Sequence, residues 1–253
     1  MYGKVKTFEI KGYNGNYSES YNDFNYLIPD TVTEIFFTDE IKPERASIID
    51  VDADGDGMVV AWTENDGTVM KVSTQIKGMK VQAPKDSGYM FYNRNNVKTI
   101  DLTNLDTVSV TSMSGLFQDC SGLTTLDLSS LDTQNVTDMS CMFYKCSGLT
   151  ALDLSSFDTQ NVAGMGYMFR GCSGLTALDL SSFDTQKVMD MDSMFYLCGN
   201  LASLTTGQNF KFVGTNYRLD GTWQNTADET FNGNSGTANF PSNIADTYTK
   251  ISD

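Results

Sequence analysis

Eight residues near the start of the chain have the composition of a cation loop. Asp50-Val51-Asp52-Ala53-Asp54-Gly55-Asp56-Gly57 alternates carboxylates with small residues, the DxDxDG opening of loops that wrap a hard cation such as calcium in oxygen ligands. Asp50, Asp52, Asp54 and Asp56 are the candidate ligands. The full EF-hand pattern fails: loop position 12, counted from Asp50, is Ala61 rather than Glu, and Met58-Val59-Val60-Ala61-Trp62 reads as a strand instead of an exiting helix. An Asp/Gly turn leading into a hairpin accounts for the same residues without metal. Apart from calcium at this loop, no cofactor is expected.

Histidine is absent, which removes Ser-His-Asp and Cys-His pairs and any His-containing zinc site. There is no P-loop, no GxGxxG after a strand and no GxSxG, so an enzyme is not expected. Four of the five cysteines, Cys120, Cys146, Cys172 and Cys198, recur every 26 residues. Stacked at the strand spacing of about 4.8 Å, they would form a ladder too widely spaced for disulfides and too linear for tetrahedral zinc. Unpaired thiols packed in a core are the expectation. Cys141 lies outside that ladder, where the other units have Gly115, Tyr167 and Ser193, and is the candidate for an accessible, reactive thiol.

The spacing of the cysteines belongs to a wider periodicity. Phe91, Phe117, Phe143, Phe169 and Phe195 are also 26 apart, as are Asp101, Asp127, Asp153 and Asp179. A fixed period of this length marks stacked units that bury their apolar faces against one another. Within one unit, Leu149-Thr-Ala-Leu152-Asp-Leu154 alternates as a strand with one buried face. Asp158-Thr159 follows as a turn or helix-capping pair, and Val162, Met165, Phe169 and Cys172 then recur at spacings of three, four and three, the stripe of a helix. The expected fold class is an α/β solenoid of leucine-rich-repeat type, with parallel strands on the concave face, short helices on the convex face and β-rich terminal caps. Three parts follow: an N-terminal cap over 1–86, the repeats over 87–206 and a C-terminal cap over 207–253.

The repeat line C-xx-L-xx-L-D-L-SS-F-D-T-xx-V-xx-M-xx-M-F, filled at every position in Cys146 to Phe169 and Cys172 to Phe195, resembles the 26-residue repeat of BspA-like leucine-rich-repeat proteins of bacterial surfaces. The Val59-Val60-Ala61-Trp62 stretch looks like that family's lead-in. The resemblance implies a secreted or surface-attached bacterial protein engaged in adhesion, and no enzyme activity.

On the concave face the strands would present Asp101, Asp127, Asp153 and Asp179 in register, accompanied by Ser129, Ser155 and Ser181. Hydroxyl hydrogen bonds, bound cations or a raised pKa would have to relieve the repulsion between neighbouring carboxylates. Open water and local hydroxyls are one outcome; an acidic groove for a cationic or polar partner is the other. Net charge is −15, and the 17 Lys and Arg form no stripe, so nucleic acid is not an expected partner. No apolar run is long enough to span a bilayer, and Met1 to Lys11 carries charges throughout, so no leader peptide is expected there.

In the caps, Lys4–Ile10 and Thr31–Phe37 alternate as strands, and Glu64-Asn65-Asp66-Gly67 should turn a hairpin. Asn225–Asn239 reads as a loop. Phe210, Phe212, Trp223, Phe231 and Phe240 either cover the last unit or form a platform for sugars. The functional expectation is a non-catalytic interaction module at the cell surface or outside the cell, contacting a host or bacterial surface protein or a glycan. A structural spacer is the alternative, and a metal-dependent hydrolase a more remote one.

Overall fold

The computed structural model describes residues 7–12, 23–234 and 236–252. The expected strand over Lys4–Ile10 lies partly outside them; within them, Glu9 and Ile10 bridge to Gln82 and Asp52. One short helix, α1 (Asp23–Leu27), precedes twelve strands: β1 (Glu34–Phe37), β2 (Ile49–Asp50), β3 (Val60–Glu64), β4 (Val69–Ser73), β5 (Val81–Gln82), β6 (Thr99–Asp101), β7 (Leu105–Asp106), β8 (Ala177–Leu180), β9 (Ser203–Thr206), β10 (Thr222–Gln224), β11 (Thr230–Asn232) and β12 (Asp246–Ser252). They form three sheets, ordered β2-β3-β4-β1-β6, β11-β10-β12-β9-β8 and β5-β7.

The N-terminal sheet follows from its alternation. β3 and β4 pair antiparallel across the expected turn, where Asn65, Asp66 and Gly67 all take left-handed φ, the conformation these residue types tolerate best. Strand β1 is parallel to both β4 and β6. Its alternation buries Ile35 and Phe37, so this cap supplies the strand that the first repeat stacks on.

The repeats do not form the α/β solenoid that their periodicity suggests. Strands occur near Leu102 and Leu180, in β6 and β8, but none is centred on Leu128 or Leu154. The expected convex helices are absent from the described residues. The segment from Met139 to Cys146 shows why. Met142, Tyr144 and Cys146 donate their N–H groups three residues back, to Met139, Cys141 and Phe143. The N–H groups of Met139, Cys141, Phe143 and Lys145 instead leave the unit and bond to the carbonyls of Gly164, Gly166, Met168 and Arg170 at 2.7–2.9 Å. The same alternation holds from Met113 to Asp119 and from Met165 to Gly171. Two positions per unit have left-handed φ, Gly115 and Asp119, Cys141 and Lys145, Tyr167 and Gly171, which no α-helix accommodates. The three-four-three apolar spacing is the buried edge of a string of turns. Parallel bridges run through Asp86, Ser112, Asp138, Gly164 and Asp190, one per unit.

Three columns fill the space between units. The rings of Phe91, Phe117, Phe143, Phe169 and Phe195 stack at 5.5–6.2 Å with interplanar angles of 4–10°. Each thiol of the cysteine ladder donates to the carbonyl of a Phe 29 residues earlier, as Cys146 Sγ does to Phe117 O at 3.0 Å. A third column lies at Thr107, Thr133, Thr159 and Thr185, all buried. Thr133 Oγ1 accepts from the Asp158 N–H at 2.8 Å and donates to the Asp158 carbonyl at 3.0 Å. The Asp-Thr pair therefore caps no helix: the Asp carboxylate closes its own turn, as Asp158 does with the Gln160 N–H, while the Thr fastens the next unit. At Gly148 a Cβ would stand 2.5 Å from Ser121 O and 2.6 Å from Leu123 O, so the Ser-Gly step is set by close backbone approach.

At the C-terminal end, β9 continues in parallel from β8, and β12, β10 and β11 then pair antiparallel. Part of the expected Asn225–Asn239 loop is thus strand β11. Phe210, Phe212, Trp223 and Phe240 are buried, and Phe240 meets Phe212, Trp223, Phe231 and Tyr248 at ring separations of 4.9–6.3 Å. These aromatics are core, and no sugar platform forms from them.

Urea denaturation of two variants tests this packing. Phe143→Ala should lose about 3–5 kcal/mol, as a large-to-small change in a sealed column. Gly148→Ala should lose about 1–3 kcal/mol from overpacking against the preceding unit. An unchanged midpoint in either would contradict the stacking.

Candidate functional site

Asp101 and Asp127 line one hollow, and the carboxylates of Asp127 and Asp153 lie close enough to repel each other. Asp127, Asp153 and Asp179 are exposed and Asp101 is half-buried. Each takes the N–H two residues on: Asp101 Oδ1 from Thr103, Asp127 from Ser129, Asp153 from Ser155 and Asp179 from Ser181, all at 2.9–3.0 Å. These are Asx turns, which bend the chain out of the strand. The Ser129 hydroxyl and N–H hold the Asp127 carboxyl below the usual aspartate range, and Ser155 does the same for Asp153. Of the three ways to relieve carboxylate repulsion, local hydrogen bonding is present at each position, and Asp127 and Asp153 move away from a raised pKa. The result is a strip of carboxylates flanked by hydroxyls. An open hollow of about 310 Å³ lies at its start, lined in part by Lys98, Asp101, Thr125 and Asp127. Another of about 650 Å³ lies at its end, lined in part by Ser181, Thr205, Asn209, Thr226 and Asp246.

The Asp/Gly loop divides its four candidates. One carboxylate oxygen each from Asp52, Asp54 and Asp56 lies within 4.8 Å of the others. Asp50 is not in this group; its carboxylate pairs with Lys11 at 3.3 Å and caps the Asp52 N–H. Asp52 is fully buried, its Oδ2 accepting the N–H groups of Gly57 and Met58. Burial pushes its carboxyl upward, and the adjacent Asp54 and Asp56 add to the rise. Gly55 and Gly57 have left-handed φ, and the chain then enters β3, as a β-turn reading requires.

All five cysteines are free. Burial pushes the Cys120 and Cys198 thiols to about 12. Cys141 is the least buried of the five, but desolvation still raises it to about 11, so a reactive thiolate is not what its site produces. A feature absent from the sequence reading runs along the turn face. The Arg170 guanidinium lies 5.5, 5.3 and 5.0 Å from the rings of Tyr144, Tyr167 and Tyr196, and Arg218 lies 4.1 Å from Tyr196. The 26-residue spacing of Tyr144, Arg170 and Tyr196 was the available signal for this cation–π column.

Residues 85–207 match the family described as "Mycoplasma protein of unknown function, DUF285". The match spans the repeats and just under half of the 253 residues. It replaces the resemblance to BspA-like leucine-rich-repeat proteins, which also fails on structure because the repeats carry turns where that plan has helices. The adhesive role and surface location drawn from that resemblance lose its support. No curated protein and no solved structure matches the chain. No helix among the described residues is long and apolar enough to cross a membrane.

Native alkylation followed by mass spectrometry should label Cys141 first, slowly at pH 7 and faster as pH rises towards 11, with the four ladder thiols reacting only on unfolding. Early labelling of Cys146, or a disulfide between ladder cysteines, would overturn this order.

Proposed function

We propose that the chain is a non-catalytic interaction module whose Asp/Ser strip binds a partner rich in positive charge and hydrogen-bond donors, most simply a basic protein segment. The observation that carries this reading is the register of Asp127, Asp153 and Asp179, exposed at one position of successive units and each fixed by its own Asx turn. Carboxylates immobilised before binding lose little side-chain freedom on contact. The hollows at both ends of the strip are open and lined by hydroxyl, amide and carboxylate groups. A surface of this kind makes many shallow contacts, so affinity is distributed along the units. The near-identity of the units suits a repetitive partner, and the absence of histidine leaves no neutral-pH imidazole base.

The test is the triple variant Asp127→Asn, Asp153→Asn and Asp179→Asn, set against a basic peptide series and against partners from binding screens. Since these side chains are exposed, the variant should melt close to the parent. Binding should fall with added salt in the parent, as exposed charges are screened, and be largely lost in the variant. Undiminished binding would move the site off the strip. No partner across broad screens would favour a spacer that only extends other parts of the protein.

A further inference from the structure

We infer that Asp52, Asp54 and Asp56 form a binding site for a hard divalent cation of calcium size, which fastens the N-terminal segment to the first sheet. The inference is independent of the function proposed for the strip. It rests on two separate observations. The first is convergence: one oxygen from each carboxylate lies within 4.8 Å of the other two, a separation that a single cation with oxygen ligands at about 2.3–2.6 Å can bridge. The second is an orphan. Asp52 is fully buried, and its Oδ1 has no hydrogen-bond partner. Buried carboxylate oxygens are otherwise paired, because an unmet one carries the full desolvation penalty. A cation supplies what this oxygen lacks.

Charge points the same way. Lys11 is committed to Asp50, through the ion pair and a hydrogen bond to the Asp50 carbonyl at 2.8 Å. The other three carboxylates bring one oxygen each within 4.8 Å of the others, a concentration of negative charge that a cation relieves. The donor set is all oxygen, which selects calcium or magnesium over zinc or copper. With two of the three carboxylates exposed on a turn, the set is less rigid than the octahedral cage magnesium demands, which favours calcium. Water would complete the coordination. With Ala61 where an EF-hand has its bidentate Glu, affinity should be modest, with Kd of about 10⁻⁵–10⁻³ M.

The position gives such an ion a structural consequence. Thr7 Oγ1 donates to Asp54 Oδ2 at 3.1 Å, the Ala53 N–H donates to Glu9 O at 3.0 Å, and the Lys11 N–H donates to Val51 O at 2.9 Å. The segment 7–11 thus lies against the loop that would hold the ion. Neutralising the carboxylates would stabilise that contact and protect the cap beneath the first repeat.

The experiment is calorimetric titration of calcium chloride into chelator-treated full chain, paired with thermal melts. The variants are Asp54→Asn with Asp56→Asn, both exposed and expected to fold, and Asp127→Asn as a control carboxylate. Expected are one saturable site, a melting-temperature rise of roughly 5 °C at about a hundredfold excess over Kd, a more than about tenfold loss of affinity in the double variant, and no change in the control. No heat and no melting shift up to about 10 mM calcium would overturn the site. Equal affinity in the double variant would overturn it as well, by placing the ion elsewhere.

Discussion

Everything in the repeats depends on where the backbone N–H groups of the turn face point. In Met139–Cys146 every second one leaves its own unit and bonds to the carbonyl of the next. This choice excludes an α-helix, whose N–H groups all point back along their own segment. It also holds successive units close enough for the Phe rings to stack face to face and for each buried Thr to bond to both backbone groups of one residue further on, Asp158 for Thr133 and Lys211 for Thr185. Left-handed φ at non-glycine residues costs about 1–2 kcal/mol each. A protein tolerates that once or twice per unit only because the inter-unit hydrogen bonds and the buried column form together.

The exposed chemistry is a by-product of the same register. Once Leu154 and Phe157 are buried, Asp153 and Ser155 must face outward, and the stacking repeats that pair in neighbouring units. The Asx turns then fix each carboxylate against its own backbone. On the opposite edge the register lines up Tyr144, Arg170 and Tyr196 into a second ordered surface. Arg and Tyr in this arrangement are typical of protein contacts.

Much of this was legible in the chain. The period, the buried Phe and Cys columns, the outward Asp/Ser pairs, the Asn-Asp-Gly hairpin and the convergence of three of the four loop carboxylates follow from residue spacing alone. The helix did not survive, because three-four-three spacing of Val162, Met165, Phe169 and Cys172 reports which residues are buried and not how the backbone between them bonds. The contrary signal was present at one position of the unit, occupied by Asn93, Asp119, Lys145, Gly171 and Leu197: a site that accepts Asn, Asp and Gly is one that tolerates left-handed φ. The Thr column was hidden because a buried hydroxyl looks like a capping residue until its partner in the next unit is seen. Asp50 stands apart from the other three loop carboxylates through its ion pair with Lys11, a partner that loop spacing does not reveal.

The most direct test of the turn architecture compares Lys145→Ala with Lys145→Gly by chemical denaturation. Both variants remove the same side-chain contacts, so their difference isolates the backbone at φ 58°. Left-handed φ predicts that the Gly variant is more stable than the Ala variant by about 1 kcal/mol. A helix at this position would reverse the sign, with Ala more stable by about 1 kcal/mol, and that result would contradict the account.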